Sequence, residues 1–148
     1  MQTNTSRTIT SANAVLLAKA VGYSRGFVQI EQYAADNAFT FNQTAVTETT
    51  MGVDGYQSGG WVPSETDFNI ALAANSPSRS FFDGVKVVHM QNQQETVPFE
   101  FDVTIPSIGK RYTATGFMTQ AQSGTSAKKV LDSATYNFKI VVKTEEDI

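Results

Sequence analysis

The sequence predicts a mainly β domain, an antiparallel β-sandwich or small barrel flanked by one α-helix. Three observations predict it. Apolar residues recur with period two over much of the chain, as they do in strands with one wet face. Clusters of Gly, Pro, Asn, Asp and Ser separate the runs, which is turn chemistry. One middle segment opens on Ser-Pro and then carries apolar residues at helical spacing. With 148 residues the chain reads as a single domain, 1–148. A chain of this size buries roughly 68–70% of its unfolded surface, enough for a real core.

Taken in order, residues 1–10 are polar and read as a mobile or contact-forming N-terminal arm. Ser11–Val21 is rich in Ala and Leu and fits a short helix or a strand, ended by Gly22. Gly26–Tyr33 alternates Val28 and Ile30 against Gln29 and Glu31, and Phe39 and Phe41 alternate with Thr40 and Asn42. Thr44–Met51 is Thr-rich and β-prone. A long inter-strand loop is expected over 51–61, with Asp54-Gly55 as its turn because glycine takes positive φ without steric cost. Asp67–Ala73 places Phe68, Ile70 and Leu72 on one face. A helix is expected over about 77–91, with Ser76 as its cap and Pro77 in its first turn. Phe81, Val85 and Val88, with Phe82 and His89 beside them, form its inner stripe. Val97–Ile105 and Lys110–Gln120 read as a hairpin across Pro106–Gly109, with Gly116 marking a bulge or close packing. One helical turn is expected at Ala127–Leu131 and a last strand at Thr135–Lys143. Residues 144–148 form an acidic tail.

Composition excludes several functions. Charged residues are only 17% of the chain, and Ser, Thr, Asn and Gln supply about a third of it. No apolar run approaches the ~20 residues of a membrane helix, and the start lacks the basic and apolar regions of a signal peptide. A net charge of −3 without a cationic cluster argues against a nucleic-acid-gripping surface. Without cysteine there is no disulfide, thiolate nucleophile or Cys-ligated metal.

The residues of catalysis are equally sparse. His89 is the single imidazole, and its helical setting beside Val88 and Met90 marks it as structural. No G-x-S-x-G elbow occurs. Asp54 lacks the alternating oxygen ligands of a calcium loop and reads as a turn aspartate. Glu100 and Asp102 share one strand face, where a carboxylate pair is usually solvated surface. The expectation is a protein without enzymatic activity, with no catalytic residue, no cofactor and no metal.

Beyond these exclusions, the order of motifs is informative. Thr49–Gly55, then Ser58-Gly59-Gly60-Trp61-Val62-Pro63, resembles the phage tail tube and related tail structural family. So do Phe68–Leu72 with Asn75-Ser76-Pro77-Ser78, and the later Ile105–Thr113, Gly116-Phe117 and Ser126–Leu131. The resemblance implies a β-sandwich or barrel subunit with a flanking helix. Six copies would close into a ring, and rings would stack into a hollow conduit for DNA. It further implies a virion protein of the tail, made in the host cytoplasm. Its partners would be itself, with the tail sheath, baseplate and tail terminator proteins. DNA would pass through the lumen without specific binding, and no membrane is involved. A low-charge acidic lining suits that passage, since it does not hold phosphates. Glu31, Glu48, Glu100 and Asp102 are the candidate lumen residues. The glycine-rich 51–61 segment is the candidate subunit interface, with Met51, Gly52, Val53, Asp54, Gly55, Tyr56 and Trp61. Two alternatives fit the same residues: another tail ring protein, such as a terminator or baseplate ring, and a carbohydrate- or receptor-binding β-sandwich module.

Overall fold

The computed structural model describes residues 14–23, 26–34, 38–91, 96–122 and 131–147. Its elements are β1 (Val15–Ala20), β2 (Val28–Gln29), β3 (Phe39–Phe41), β4 (Thr47–Met51), β5 (Gln57–Trp61), β6 (Thr66–Leu72), α1 (Arg79–Gln91), β7 (Phe99–Ile105), β8 (Lys110–Ala121) and β9 (Ala134–Asp147). Seven strands form one antiparallel sheet in the order β2-β1-β7-β8-β9-β6-β3, and β4 and β5 form a separate hairpin. The large sheet curls into a half-barrel with the helix against it, so the fold is the mainly β, one-helix class that the sequence predicts.

The inner face of the sheet is built by strict alternation. β6 buries Phe68, Ile70 and Leu72, β7 buries Phe99, Phe101 and Val103, and β9 buries Tyr136, Phe138 and Ile140. α1 lays Phe82 and Val85 on this face. The Phe82 ring lies 4.9 Å from Tyr136 and 5.7 Å from Phe138, and Phe68 meets Phe101 edge-on at 5.2 Å. Such ring pairs add about 0.5–1.5 kcal/mol each beyond area burial. The Tyr136 hydroxyl donates to Asp83 Oδ1 at 2.8 Å and so ties the helix to β9. Burial, and then that bond, push the hydroxyl up to about 12. Gly116 is a close-packing point, because a Cβ there would lie 2.2 Å from the Lys139 carbonyl oxygen. The opposite face of the sheet has no helix on it among the described residues.

Several boundaries differ from the sequence reading, each for a physical reason. Of the Ser11–Val21 segment, Val15–Ala20 is strand, since Leu16, Ala18 and Ala20 are buried and alternate with partly exposed neighbours, and residues 11–13 lie outside the described residues. Within Gly26–Tyr33 the ladder is confined to Val28–Gln29, with one isolated antiparallel bridge from Tyr33 to Leu72. Beyond the ladder, Gln32 takes φ 58° and serines pin the chain instead. The Glu31 N–H donates to Ser78 Oγ at 2.9 Å, and Ser76 Oγ donates to the Glu31 carbonyl at 2.5 Å. Ser76 Oγ also accepts the Ser78 N–H at 3.3 Å, the local bond expected of a cap, while the helix itself begins at Arg79 instead of Pro77. The expected loop over 51–61 is a turn at 52–56 followed by strand β5. Gly59-Gly60 hides this strand from a side-chain pattern while its backbone pairs normally. The acidic tail continues β9 to Asp147, because Lys110 and Arg111 lie opposite Glu145, Glu146 and Asp147. The arm 1–10, Ile148 and residues 127–130 of the expected helical turn lie outside the described residues.

Candidate assembly interface

The β4–β5 hairpin leaves the sheet at a defined point. β3 and β6 pair from Phe39↔Ile70 to Phe41↔Phe68, and then both chains bend away. Pro63 has no N–H to give a ladder. Side chains hold the bend: Thr44 Oγ1 donates to the Glu65 carbonyl at 2.8 Å, and Ser64 Oγ donates to the Ala45 carbonyl at 2.5 Å. The Val62 N–H, donating to the Val46 carbonyl at 3.2 Å, starts the new ladder. The register then runs from Thr47↔Trp61 to Met51↔Gln57.

The tip is a tight turn. Gly55 has φ 88°, which favours glycine, and its N–H donates to the Gly52 carbonyl at 3.0 Å. Asp54 Oδ1 accepts the Tyr56 N–H at 3.2 Å, the local bond of a turn aspartate. Thr47, Thr49, Met51, Gln57, Gly59 and Trp61 share one face; Glu48, Thr50, Ser58 and Gly60 share the other. All ten strand residues are exposed. Trp61 keeps 78% of its surface in solvent and Tyr56 77%, and Val46, Met51 and Val53 are exposed as well. A two-stranded hairpin with neither face packed is marginal in water. Exposed Trp, Tyr and Met on one projecting element are the residue types of interface cores.

The structure gathers the seven interface candidates on this hairpin. Met51 ends β4, Gly52, Val53, Asp54, Gly55 and Tyr56 form the turn, and Trp61 ends β5. Val46 at the base joins them. Sequence reading missed it and the Thr44–Ser64 bend, because neither belongs to a motif.

The four lumen candidates fall in three places. Glu100 and Asp102 share the helix-free face of the sheet, Glu48 is on the hairpin, and Glu31 lies beside Ser76 and Ser78. The helix-free face also carries cations that the sequence reading left out. Arg111 donates to both Asp102 carboxylate oxygens, at 2.7 and 3.2 Å, and Lys139 is 3.7 Å from Asp67. Lys19 sits opposite Glu100 in the ladder. The hydrogen bond to Asp102 raises the Arg111 guanidinium, and that to Asp147 raises the Lys110 ammonium. Strand register, invisible in a linear reading, is what brings these charges together. Beside them, Asn42, Asp67, Asn69, Gln120, Asn137 and Lys139 line a polar concavity of about 370 Å³. His89 Nε2 accepts the Val97 N–H at 2.9 Å, which is a structural use of the imidazole.

The described residues thus combine a curled sheet, one helix and a projecting hairpin whose strand residues are all exposed. The profile of a family described as tail fiber protein gp32 matches residues 7–142, so the chain belongs to that phage tail family. Among solved structures, a chain of the sheath–tube complex of an extracellular contractile injection system, PVC, in the extended state is similar in fold. It has a TM-score of 0.58 and 12% identity, with 99% of this chain and 100% of that chain covered. A chain of the 6-fold-symmetrised baseplate of the anti-feeding prophage (AFP) has a TM-score of 0.45 and 11% identity, with 100% and 97% covered. No curated protein sequence matches the chain.

Proposed function

We propose that this phage tail protein is the tail tube subunit, closing six at a time into rings that stack into a conduit for DNA. The observation that carries the reading is the hairpin with its base, residues 46–61, wholly exposed and apolar at Val46, Met51, Val53, Tyr56 and Trp61. Its exposed aromatics fit a socket on a neighbouring subunit or ring. The likeness in fold to a chain of a sheath–tube complex supports the same reading. The role is structural and involves no catalysis, cofactor or metal. The subunit is made in the host cytoplasm, resides in the virion tail, and meets sheath, baseplate and terminator proteins there.

In this reading the helix-free face, with Glu100 and Asp102, lines the channel. Its carboxylates are largely matched by Lys19, Arg111 and Lys139, so DNA phosphates meet few unmatched cations. Negative-stain electron microscopy of the purified protein at high concentration tests the proposal. Hollow rings or tubes are expected; a uniform monomer even with a tail initiator complex present would overturn it.

A second reading rests on the family description and the amide-lined concavity at Asn42, Asn69, Gln120 and Asn137. Such carboxamides suit sugar hydroxyls, as in a receptor-binding tail module. Retention of a low-order oligomer on bacterial glycans, without tubes, would favour it.

A further inference from the structure

We propose that β5 of one copy adds as a strand to the bare edge of β9 in a second copy, over residues 141–146. This rests on the self-assembly reading above and names the surface that receives the hairpin.

The edge exists because two strands part company. β6 pairs with β9 from Leu72↔Ala134 to Thr66↔Ile140 and no further. β9 runs on to Asp147, paired to β8 on its other side. Among the described residues, no strand lies beside 141–146 on the side that β6 has left. A straight continuation of β6 would cover that stretch with residues 60–65. Pro63 and the Thr44–Ser64–Glu65 bonds turn those residues into the hairpin instead. The chain thus vacates an edge and, with the same residues, projects a strand that has an edge of its own. Unpaired edges are templates for pairing with another chain.

Length and chemistry match. Six residues of β9 span ~20 Å and the five of β5 ~17 Å at about 3.3–3.4 Å per residue. Of the two hairpin strands, β4 carries Glu48, whereas β5 is uncharged. Only β5 avoids a like charge opposite Glu145 and Glu146. An antiparallel fit, in the direction β6 already uses, sets Trp61 near Val141 and Val142 and Gln57-Ser58 near the carboxylates. Val141 is about half exposed and awaits such a neighbour. At Gly60 a Cβ would meet nothing within 4 Å, so the strand has open space for close backbone approach.

The natural absence of cysteine gives a clean test. Ser58→Cys protein is mixed with Lys143→Cys, Thr144→Cys or Glu145→Cys protein, assembled, and oxidised. A disulfide needs Cα atoms within about 7 Å. A covalent dimer is expected with one or two of the three positions, and at least tenfold less from Thr50→Cys, one strand farther away. Equal or greater linkage from Thr50→Cys, or none from Ser58→Cys, would overturn the pairing. Amide hydrogen exchange of the unmodified protein, free and assembled, separates the two claims. New protection at both 47–61 and 141–146 supports the pairing. Protection at 47–61 alone overturns it while leaving hairpin-driven assembly intact. Absence of any multimer, even with a tail initiator complex present, overturns both.

Discussion

The helix-covered face of the sheet and the β4–β5 hairpin use the same antiparallel geometry to opposite ends. On the covered face, Phe68–Leu72, Phe99–Val103 and Tyr136–Ile140 each place an aromatic or branched side chain with almost no solvent contact at every second position, and α1 closes the face with Phe82 and Val85. In the hairpin the alternation is just as regular, but among the described residues nothing covers either side. Polar side chains also do different work in the two places. Ser76, Ser78 and Asp83 bind segments to the core. Thr44 and Ser64 instead hold the hairpin away from the sheet. The contrast teaches that the buried core and the exposed hairpin are separate stretches of the chain, and substitutions test whether stability and the proposed assembly separate in the same way.

The largest effect belongs to the covered face. Phe138 touches the rings of Phe68, Phe82, Phe99 and Phe101, so Phe138→Ala should cost about 3–5 kcal/mol in urea unfolding. Gly116→Ala drives a methyl group into the Lys139 carbonyl and the Ile140 backbone and should cost about 1–3 kcal/mol by the same assay. The Tyr136 hydroxyl gives a pH signature. Its folded value is raised to about 12, so its neutral form stabilises the fold below pH 10. That contribution is lost as pH climbs from about 10 to 12. Burial raises Tyr33 to about 12 as well, so Tyr136→Phe should reduce this alkaline limb of the stability curve without abolishing it, and an unchanged limb would remove Tyr136 as a cause. Ser78→Ala takes the acceptor from the Glu31 N–H and should lower stability by roughly 1 kcal/mol. Its effect should appear as faster exchange of the Glu31 amide.

Much of the covered region was legible in the sequence because buried alternation is a side-chain pattern. Phe68-Ile70-Leu72, Phe99-Phe101-Val103 and Tyr136-Phe138-Ile140 each declare a strand face, and all three are core. The helix was legible from Ser-Pro and its apolar spacing, although its first residues were not. Ser76 makes the local bond to the Ser78 N–H that a cap makes, but the bonds of both serines to Glu31, 45 and 47 residues away in the chain, could not be read from spacing. β5 was illegible, since glycines carry no pattern and its partner is found only in space. The end of β9 was illegible for a different reason: Glu-Glu-Asp disfavours strand, and only the Lys110–Asp147 bond at 2.8 Å and its neighbours explain it. Trp61 and Tyr56 could be singled out as anchors by residue type, but the bend that presents them is set by side chains outside any motif. The matched charges of Asp102 with Arg111 and Asp67 with Lys139 likewise depend on register.

In the proposed function, the hairpin assembles the protein without holding its fold. Trp61→Ala addresses that claim most directly, read by urea unfolding and electron microscopy on the same preparation. The expected result is an unfolding free energy within about 0.5 kcal/mol of the unsubstituted protein, as for an exposed site, together with loss of rings and tubes. Normal tubes from a normally folded variant would contradict the claim, as would a loss of stability comparable to that of Phe138→Ala.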